Sequence, residues 1–324
     1  MAYQVKRATT LTEVWRLLEA NPQACLIAGG TDRIPRLNQG IERHDLLIHL
    51  SDIPELRGVS DEGEYYRIGA LTKLVEITEE PLLKGFQALQ YAAGRVASPP
   101  IRNQATIGGN LLQENRCIYF NQSVSWRRVE PCFKLGGKRC YQYKGSPRCV
   151  ALMQSDLAPV LLSYGAGAVF ISPQGRRELP LRELYLPAGE KNKTGGEVLV
   201  EIRAPKPKAA FYSAYARETI RGSFDFPLVS CAAALELEGQ TIRAAAMVMG
   251  SAGDAPKIVR HMETLVGQPL LNLAAEENNL MEAGRKNVAA FRDSRVNVTV
   301  RKAMGEEVIK SALGQIIAMT GEQR

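Results

Sequence analysis

Long apolar runs are missing from these 324 residues. None approaches the roughly 20 residues that a membrane-crossing helix needs. The opening MAYQVKRATTLTEVWRLLEA has no continuous apolar core and no small-residue cleavage site, so no secretory signal is expected and a cytoplasmic protein away from membranes is. Histidine is scarce, with three in the chain, and His44, His49 and His261 fall at no ligand or triad spacing. No Gly-x-Ser-x-Gly elbow, zincin helix or Gly-x-Gly-x-x-Gly turn occurs. Serine hydrolase, zinc peptidase and Rossmann-type nicotinamide chemistry therefore lack a sequence basis, and no residue is assigned a catalytic role. Internal repeats and low-complexity tracts are absent too, which removes solenoids and disordered arrays.

What is present fits an ordinary globular chain: 45% apolar and 23% charged residues. The length allows two or three domains with real cores. The net charge of +7 is concentrated in one stretch. Between Asn115 and Cys149 lie Arg116, Arg127, Arg128, Lys134, Lys138, Arg139, Lys144 and Arg148 against the single acid Glu130. That stretch also holds Cys117, Cys132, Cys140 and Cys149. In a reducing compartment clustered thiols suggest metal before disulfides. Tyr119, Phe120, Trp126, Tyr141 and Tyr143 are interleaved with the basic residues, a composition that a zinc-stabilised nucleic-acid module could use. The other reading is that the stretch surrounds something negative.

The flanking sequence is legible by pattern. Thr10 and Glu13 fit a capping box ahead of Leu11, Val14, Leu17 and Leu18, and Asn21-Pro22 ends that helix. A strand at 25–28 leads into Gly29-Gly30-Thr31-Asp32, then a short helix at 33–38 and a strand at 46–50. A strand is expected at 65–70 and helices at 71–78 and 83–96. Ser98-Pro99-Pro100 breaks the chain before a second glycine turn, Thr106-Ile107-Gly108-Gly109-Asn110. Core elements are expected at 158–162 and 168–171, and a strand at 197–202. Pro205-Lys206-Pro207-Lys208 reads as a linker. Beyond it 211–216, 230–237 and 242–249 alternate like antiparallel strands, with Glu238-Gly239-Gln240 as a hairpin turn. A final helix carries Val300, Met304, Val308, Ala312 and Ile316 on one stripe. Cys25 and Cys231 fall in apolar runs and are expected in the core.

Adjacent glycines expose backbone N–H groups and admit a phosphate without meeting a side chain. Each turn alone is also compatible with a plain tight bend. A nucleic-acid module would leave both turns unexplained, so neither nucleic acid nor membrane is the expected partner.

AGGTDRIPRLNQG, RIGALTKLVEI, ASPPIRNQATIGGN and SDLAPVLLSYGA, in this order, resemble the FAD-binding subunit of the molybdenum hydroxylases, the xanthine and carbon monoxide dehydrogenase flavoproteins. The resemblance implies an α+β chain: a PCMH/VAO-like FAD-binding fold in two subdomains, 1–55 and 56–207, then an α+β C-terminal domain at 208–324 with an antiparallel sheet plus helices. It implies FAD held at Ala28, Gly29, Gly30, Thr31 and Asp32 and at Thr106, Ile107, Gly108, Gly109 and Asn110. Asp156 matches an aspartate that contacts the FAD, and Leu199 a residue against the isoalloxazine. A family lysine near the flavin falls at Ala216, with Arg217 the nearest basic residue. Implied partners are a molybdenum-cofactor large subunit and a small [2Fe–2S] subunit.

One departure from the family pattern is an insertion at about 114–153 that holds the four cysteines with spacing C-x14-C-x7-C-x8-C. NRCIYFNQS and these cysteines resemble the flavoprotein of 4-hydroxybenzoyl-CoA reductase, which implies an extra [4Fe–4S] cluster and ferredoxin or another carrier as electron partner. The residues agree with metal. Between Cys117 and Cys149 the larger aliphatics are only Ile118, Val124, Val129 and Leu135, too little apolar surface to offset ~1–2 kcal/mol of backbone ordering per residue. A metal site can staple such a segment. Four thiolates suit a cubane. Structural zinc usually shows short C-x2–4-C pairs, and none is present. Unligated thiols remain a third reading. The function implied is an electron-transfer subunit of a 4-hydroxybenzoyl-CoA reductase-like enzyme. The alternative is the FAD subunit of a xanthine- or aldehyde-type dehydrogenase that passes electrons to NAD or another acceptor.

Overall fold

Thr10 caps the first helix as its sequence predicts: its hydroxyl accepts from the Glu13 N–H at 3.2 Å. The Glu13 carboxylate reaches back to the N–H of Thr9, at 2.9 Å, rather than to Thr10. In the computed structural model, which describes residues 3–127, 129–289 and 295–321, this helix is α1 (Leu11–Ala20). It packs beside a parallel three-stranded sheet of β1 (Gln4–Arg7), β2 (Cys25–Ile27) and β3 (Leu46–His49), in the order β1-β3-β2. Between β2 and β3 the glycine turn feeds α2 (Arg33–Asn38). Parallel strands need such a crossover, so the turn is held at the carboxyl end of a buried strand.

A second sheet is antiparallel. Its strands are β4 (Val59–Asp61), β5 (Tyr65–Gly69), β6 (Gly167–Ser172), β7 (Gly175–Pro180) and β8 (Val198–Pro205), ordered β4-β5-β8-β6-β7. Helices α3 (Leu74–Glu79), α4 (Gln87–Arg95), α5 (Pro99–Arg102), α6 (Ile107–Leu112) and α7 (Leu157–Ser163) join its strands. Two of these begin later than expected. Leu71 and Thr72 spend their N–H groups on the Leu56 and Gly69 carbonyls, so α3 starts at Leu74. Pro81–Leu83 closes a separate 3-10 turn, and α4 waits for Gln87.

After Pro205 the chain builds a third sheet from β9 (Ala210–Glu218), β10 (Val229–Glu238), β11 (Thr241–Gly250) and β12 (Lys257–Ile258), antiparallel in the order β12-β11-β10-β9. The expected hairpin is there, with Gly239 at φ +61°. Helices α8 (Leu271–Ala275), α9 (Glu277–Asn287) and α10 (Val298–Gly321) cover one face. The other face supplies Tyr215, Ala232 and Ala234 to the core around α4 and α7. The stripe of α10 is shifted at its start: Val300 is exposed, and Arg301 is fully buried one residue on. Its guanidinium donates to the carbonyls of Leu228 and Ser251, which is how a cation is accommodated there. The chain is thus α+β with an antiparallel C-terminal sheet. Cys25 and Cys231 are core residues. Among the described residues no helix is long and apolar enough to cross a membrane.

Candidate functional site

The two glycine segments meet across a cleft of about 1160 Å³. Ala28, Gly29, Gly30, Thr31 and Asp32 line it on one side, and Thr106, Gly108, Gly109 and Asn110 on the other. Leu199 of β8 is also in the wall. Pockets for drug-sized ligands run to roughly 1,000 Å³, so this cleft has room for something larger.

The two segments do different work. The second is the first turn of α6, not a free bend. Thr106 caps it by accepting from the Gly109 N–H at 3.1 Å. The N–H groups of Ile107, Gly108 and Asn110 bond the carbonyls of Thr72, Ala70 and Thr106. Ile107 is fully buried and does not line the cleft. The first segment keeps its amides. Among the described residues, the N–H groups of Gly29, Gly30, Thr31 and Asp32 have no protein acceptor. The free backbone donors expected of both segments are thus found in the first.

The glycines themselves serve close approach. A Cβ on Gly29 would lie 1.8 Å from the Gln104 carbonyl oxygen, and one on Gly108 2.8 Å from that of Ala70. Gly29 thus lets the first segment press against the chain leading into α6. Gly30 adds a left-handed φ of +74° that turns the backbone toward α2.

Asp32 closes the first segment among cations. Its carboxylate accepts from Arg116 at 2.5 Å and forms an ion pair with the buried Arg36 at 3.0 Å. Arg36 and Arg33 both reach Glu42. Arg116 ties the inserted segment to the glycine turn, a contact that 84 residues of separation hide from the sequence.

The SDLAP motif acts from behind. Ser155 donates to Asn110 Oδ1 at 2.6 Å and so fixes the second segment. Asp156 is not in the cleft wall. It accepts from Tyr215 at 2.7 Å and from Arg217 at 2.8 Å. Burial pushes its carboxyl up to about 6, against the pull of Arg217 and Tyr215. Arg217 is likewise drawn inward, donating also to the carbonyls of Arg95 and Asp225. Ala216 is buried in the C-terminal core. Asp156 and Arg217 therefore brace β9 against the α4 end, and neither is among the residues lining the cleft.

The insertion is a closed loop. A bridge pairs Arg116 with Leu152 at its neck, and among the described residues beyond that only the 3-10 turns Val124–Trp126 and Phe133–Leu135 interrupt it. Cys117, Cys132, Cys140 and Cys149 line one pocket with Tyr119, Phe120, Phe133 and Lys134. Among the described residues no carboxylate or histidine lines it. Backbone amides of Phe120 and Tyr119 point to the Cys117 sulfur, and that of Ala151 to Cys149 at 3.4 Å. Burial pushes both thiols up, Cys149 to about 11. Among the described residues no three His, Cys, Asp or Glu side chains converge as they would on a single ion. A zinc site needs every sulfur ~2.3 Å from one centre, whereas a cubane binds each thiolate through its own iron and spaces them more widely. About 10 Å³ of free space lies among the side chains, room for about one water, so a cluster would require the loop to open.

The positive charge of the insertion is partly answered by protein acids. Arg116 pairs with Asp32, Lys134 with Glu114 and Arg148 with Asp254. Arg139 lies over the Tyr141 ring, and Arg128 lies outside the described residues. Cleft and cysteine pocket share a wall: Phe120, Phe133, Lys134 and Cys149 line both.

Lys191, absent from the expected set, also lines the cleft. Burial lowers its ammonium to about 8, partly offset by Glu114 and Asp32. A lysine lowered on folding favours the unfolded state below that pH. Its destabilisation fades as pH rises from about 8 to the ordinary 10.5. The stability advantage of Lys191→Met over wild type, measured without flavin, should therefore shrink across that window. A constant difference from pH 7 to 10 would place the ammonium in solvent.

Residues 1–207 match the family described as "FAD binding domain in molybdopterin dehydrogenase". The chain belongs to this family. Membership makes it an FAD-binding chain of an oxidoreductase family, and the cleft between the glycine segments fits a dinucleotide in size and in its free amides. It is 27% identical over 318 residues to the xanthine dehydrogenase FAD-binding subunit of Escherichia coli O157:H7, covering 97% of this chain and 96% of that one. It is 31% identical over 257 residues to the aldehyde oxidoreductase FAD-binding subunit PaoB of Escherichia coli K12, covering 74% and 79%. In structure it resembles a chain of CO dehydrogenase from Oligotropha carboxidovorans, with a TM-score of 0.80 at 21% identity over 98% of each chain. That likeness confirms the fold of this FAD-binding family member.

Proposed function

We propose that this chain is the electron-transfer subunit of a multisubunit molybdenum hydroxylase of the xanthine or aldehyde dehydrogenase type, and that it holds a [4Fe–4S] cluster beside its FAD. The relatives named for xanthine and aldehyde favour those types over the 4-hydroxybenzoyl-CoA reductase suggested by the insertion alone. Partners would be a molybdenum-cofactor large subunit, a small [2Fe–2S] subunit and a one-electron carrier such as ferredoxin.

The observation that carries this reading is the shared wall: the cysteine pocket and the dinucleotide cleft are separated by single side chains. When bound, flavin and cluster supply the electron chemistry, and the protein sets their positions and surroundings. Gly29 to Asp32 would hold the pyrophosphate through amides, and Leu199 would offer an apolar face to the ring. Cys117, Cys132, Cys140 and Cys149 would each hold an iron. Lys134, beside Cys149 and Glu114, would temper the negative charge of a thiolate cluster.

Cys132→Ser tests the assignment. Cys132 contributes nothing to the cleft wall. The variant should lose its iron while keeping most of its FAD, and the assembled enzyme should lose turnover with ferredoxin. Full iron content in this variant, or ferredoxin turnover equal to wild type, would remove the cluster from this pocket. Reduction by NADH unaffected by the substitution would instead support a hydride acceptor at the flavin.

A further inference from the structure

Lys191 stands apart from the arginines of the cleft. Arg33 and Arg36 pair with Glu42, and Arg116 with Asp32. Lys191 donates to the Gly189 carbonyl at a long 3.4 Å and lies 5.1 Å over the Tyr185 ring. Among the described residues no carboxylate comes within the 4.0 Å of an ion pair. A half-buried ammonium without a counter-ion is costly.

Its position is nevertheless built. The backbone bridges Tyr185, and the next residue, Asn192, donates to the Leu184 carbonyl at 2.8 Å. Arg177 donates to the Asn192 carbonyl at 2.9 Å and grips Glu197 through two bonds. Glu197 in turn accepts from the Thr194 N–H at 2.7 Å. The Trp15 indole holds the far end through the Gly196 carbonyl at 3.1 Å. Hydrogen-bonded backbone on both sides thus holds the Lys191 ammonium in the cleft with no carboxylate partner among the described residues. Asp32, at the end of the amide-bearing turn, is near enough to act on it electrostatically.

We infer that Lys191 anchors the pyrophosphate of the dinucleotide together with the free amides of Gly29 to Asp32, and so makes the cleft selective for FAD over flavins without a diphosphate. The inference rests on the FAD reading and adds a charge to the neutral amides of the first glycine segment. Charge-assisted bonds to phosphate are about twice as strong as neutral ones. The same residue weakens the flavin-free fold, so its removal has effects of opposite sign on stability and binding.

The test uses the full chain stripped of flavin, titrated with FAD, ADP and riboflavin, with melting temperatures measured in parallel. Lys191→Met should weaken FAD and ADP at least ~10-fold, the equivalent of about 1.4 kcal/mol, leave riboflavin within about 2-fold, and raise the flavin-free melting temperature. Lys191→Arg, which keeps the charge, should hold FAD within about 3-fold of wild type. Unchanged FAD affinity in Lys191→Met overturns the inference. So does an equal loss for riboflavin, which would place the ammonium at the ring. A lowered flavin-free melting temperature overturns it too, by making Lys191 a packing contact. Wild-type chain that binds no FAD would instead sink the underlying reading.

Discussion

Gly29→Ala should yield a chain that retains no FAD and melts well below wild type. The added methyl would sit 1.8 Å from the Gln104 oxygen and 2.6 Å from its carbonyl carbon. Both are backbone, so no rotamer change relieves the overlap. Either the first glycine segment or the entry to α6 must move, and both line the cleft. Overpacking of well-ordered sites costs ~1–3 kcal/mol and sometimes more, and here the upper end is expected. For a chain of this size that is a drop of about 5–10 °C. Gly85→Ala is the control, since a Cβ there meets nothing within 4 Å. It should stay within about 0.5 kcal/mol of wild type with full flavin. Normal FAD content in Gly29→Ala would mean that the close approach of the two segments is not needed for binding.

Asp156→Ala should destabilise the fold by ~3–5 kcal/mol, because it strands the Arg217 guanidinium in the interior. The two side chains are 5% and 9% exposed and 2.8 Å apart. Tyr215 would lose its acceptor in the same step. Adding Arg217→Met should recover much of the loss, since a pair replaced by apolar groups costs less than a pair broken. Chemical denaturation of the three variants measures this. FAD affinity should follow stability and not fall independently, because neither residue lines the cleft. A well-folded Asp156→Ala chain that no longer binds FAD would return Asp156 to direct ligand contact.

Much of this architecture is local and was readable as such. The capping residues Thr10 and Glu13, the Asn21-Pro22 stop and the hairpin at Gly239 are signals confined to a few neighbours. They correspond to α1 and the β10–β11 pair. The strands β1 and β7 were not foreseen. QVKR and GRRELP carry no alternation, and each forms only because a partner strand offers a ladder. The second glycine segment looked like a bend because two glycines lower helix propensity. Thr106 as cap and the tight seat of Gly108 on Ala70 override that preference.

The site was legible where motifs carry it and hidden where distance does. Both glycine segments and Leu199 reach the cleft, and the four cysteines share a pocket. Arg116 with Asp32 and Lys191 in the wall depend on contacts across the fold. The one available hint for Lys191 was a pair of lysines just ahead of β8. For Asp156 and Arg217 the motif pointed at the right neighbourhood, but the partners are Tyr215 and each other, residues that meet only when the C-terminal sheet packs against α4 and α7.

The most direct measurement is the content of flavin, iron and acid-labile sulfide in the full chain purified without oxygen. Expected are one FAD with about four iron and four sulfide per chain, the complement of a cubane on four thiolates. Flavin with neither iron nor sulfide would leave the cysteine pocket an ordinary set of thiols and contradict the paired arrangement of the two centres.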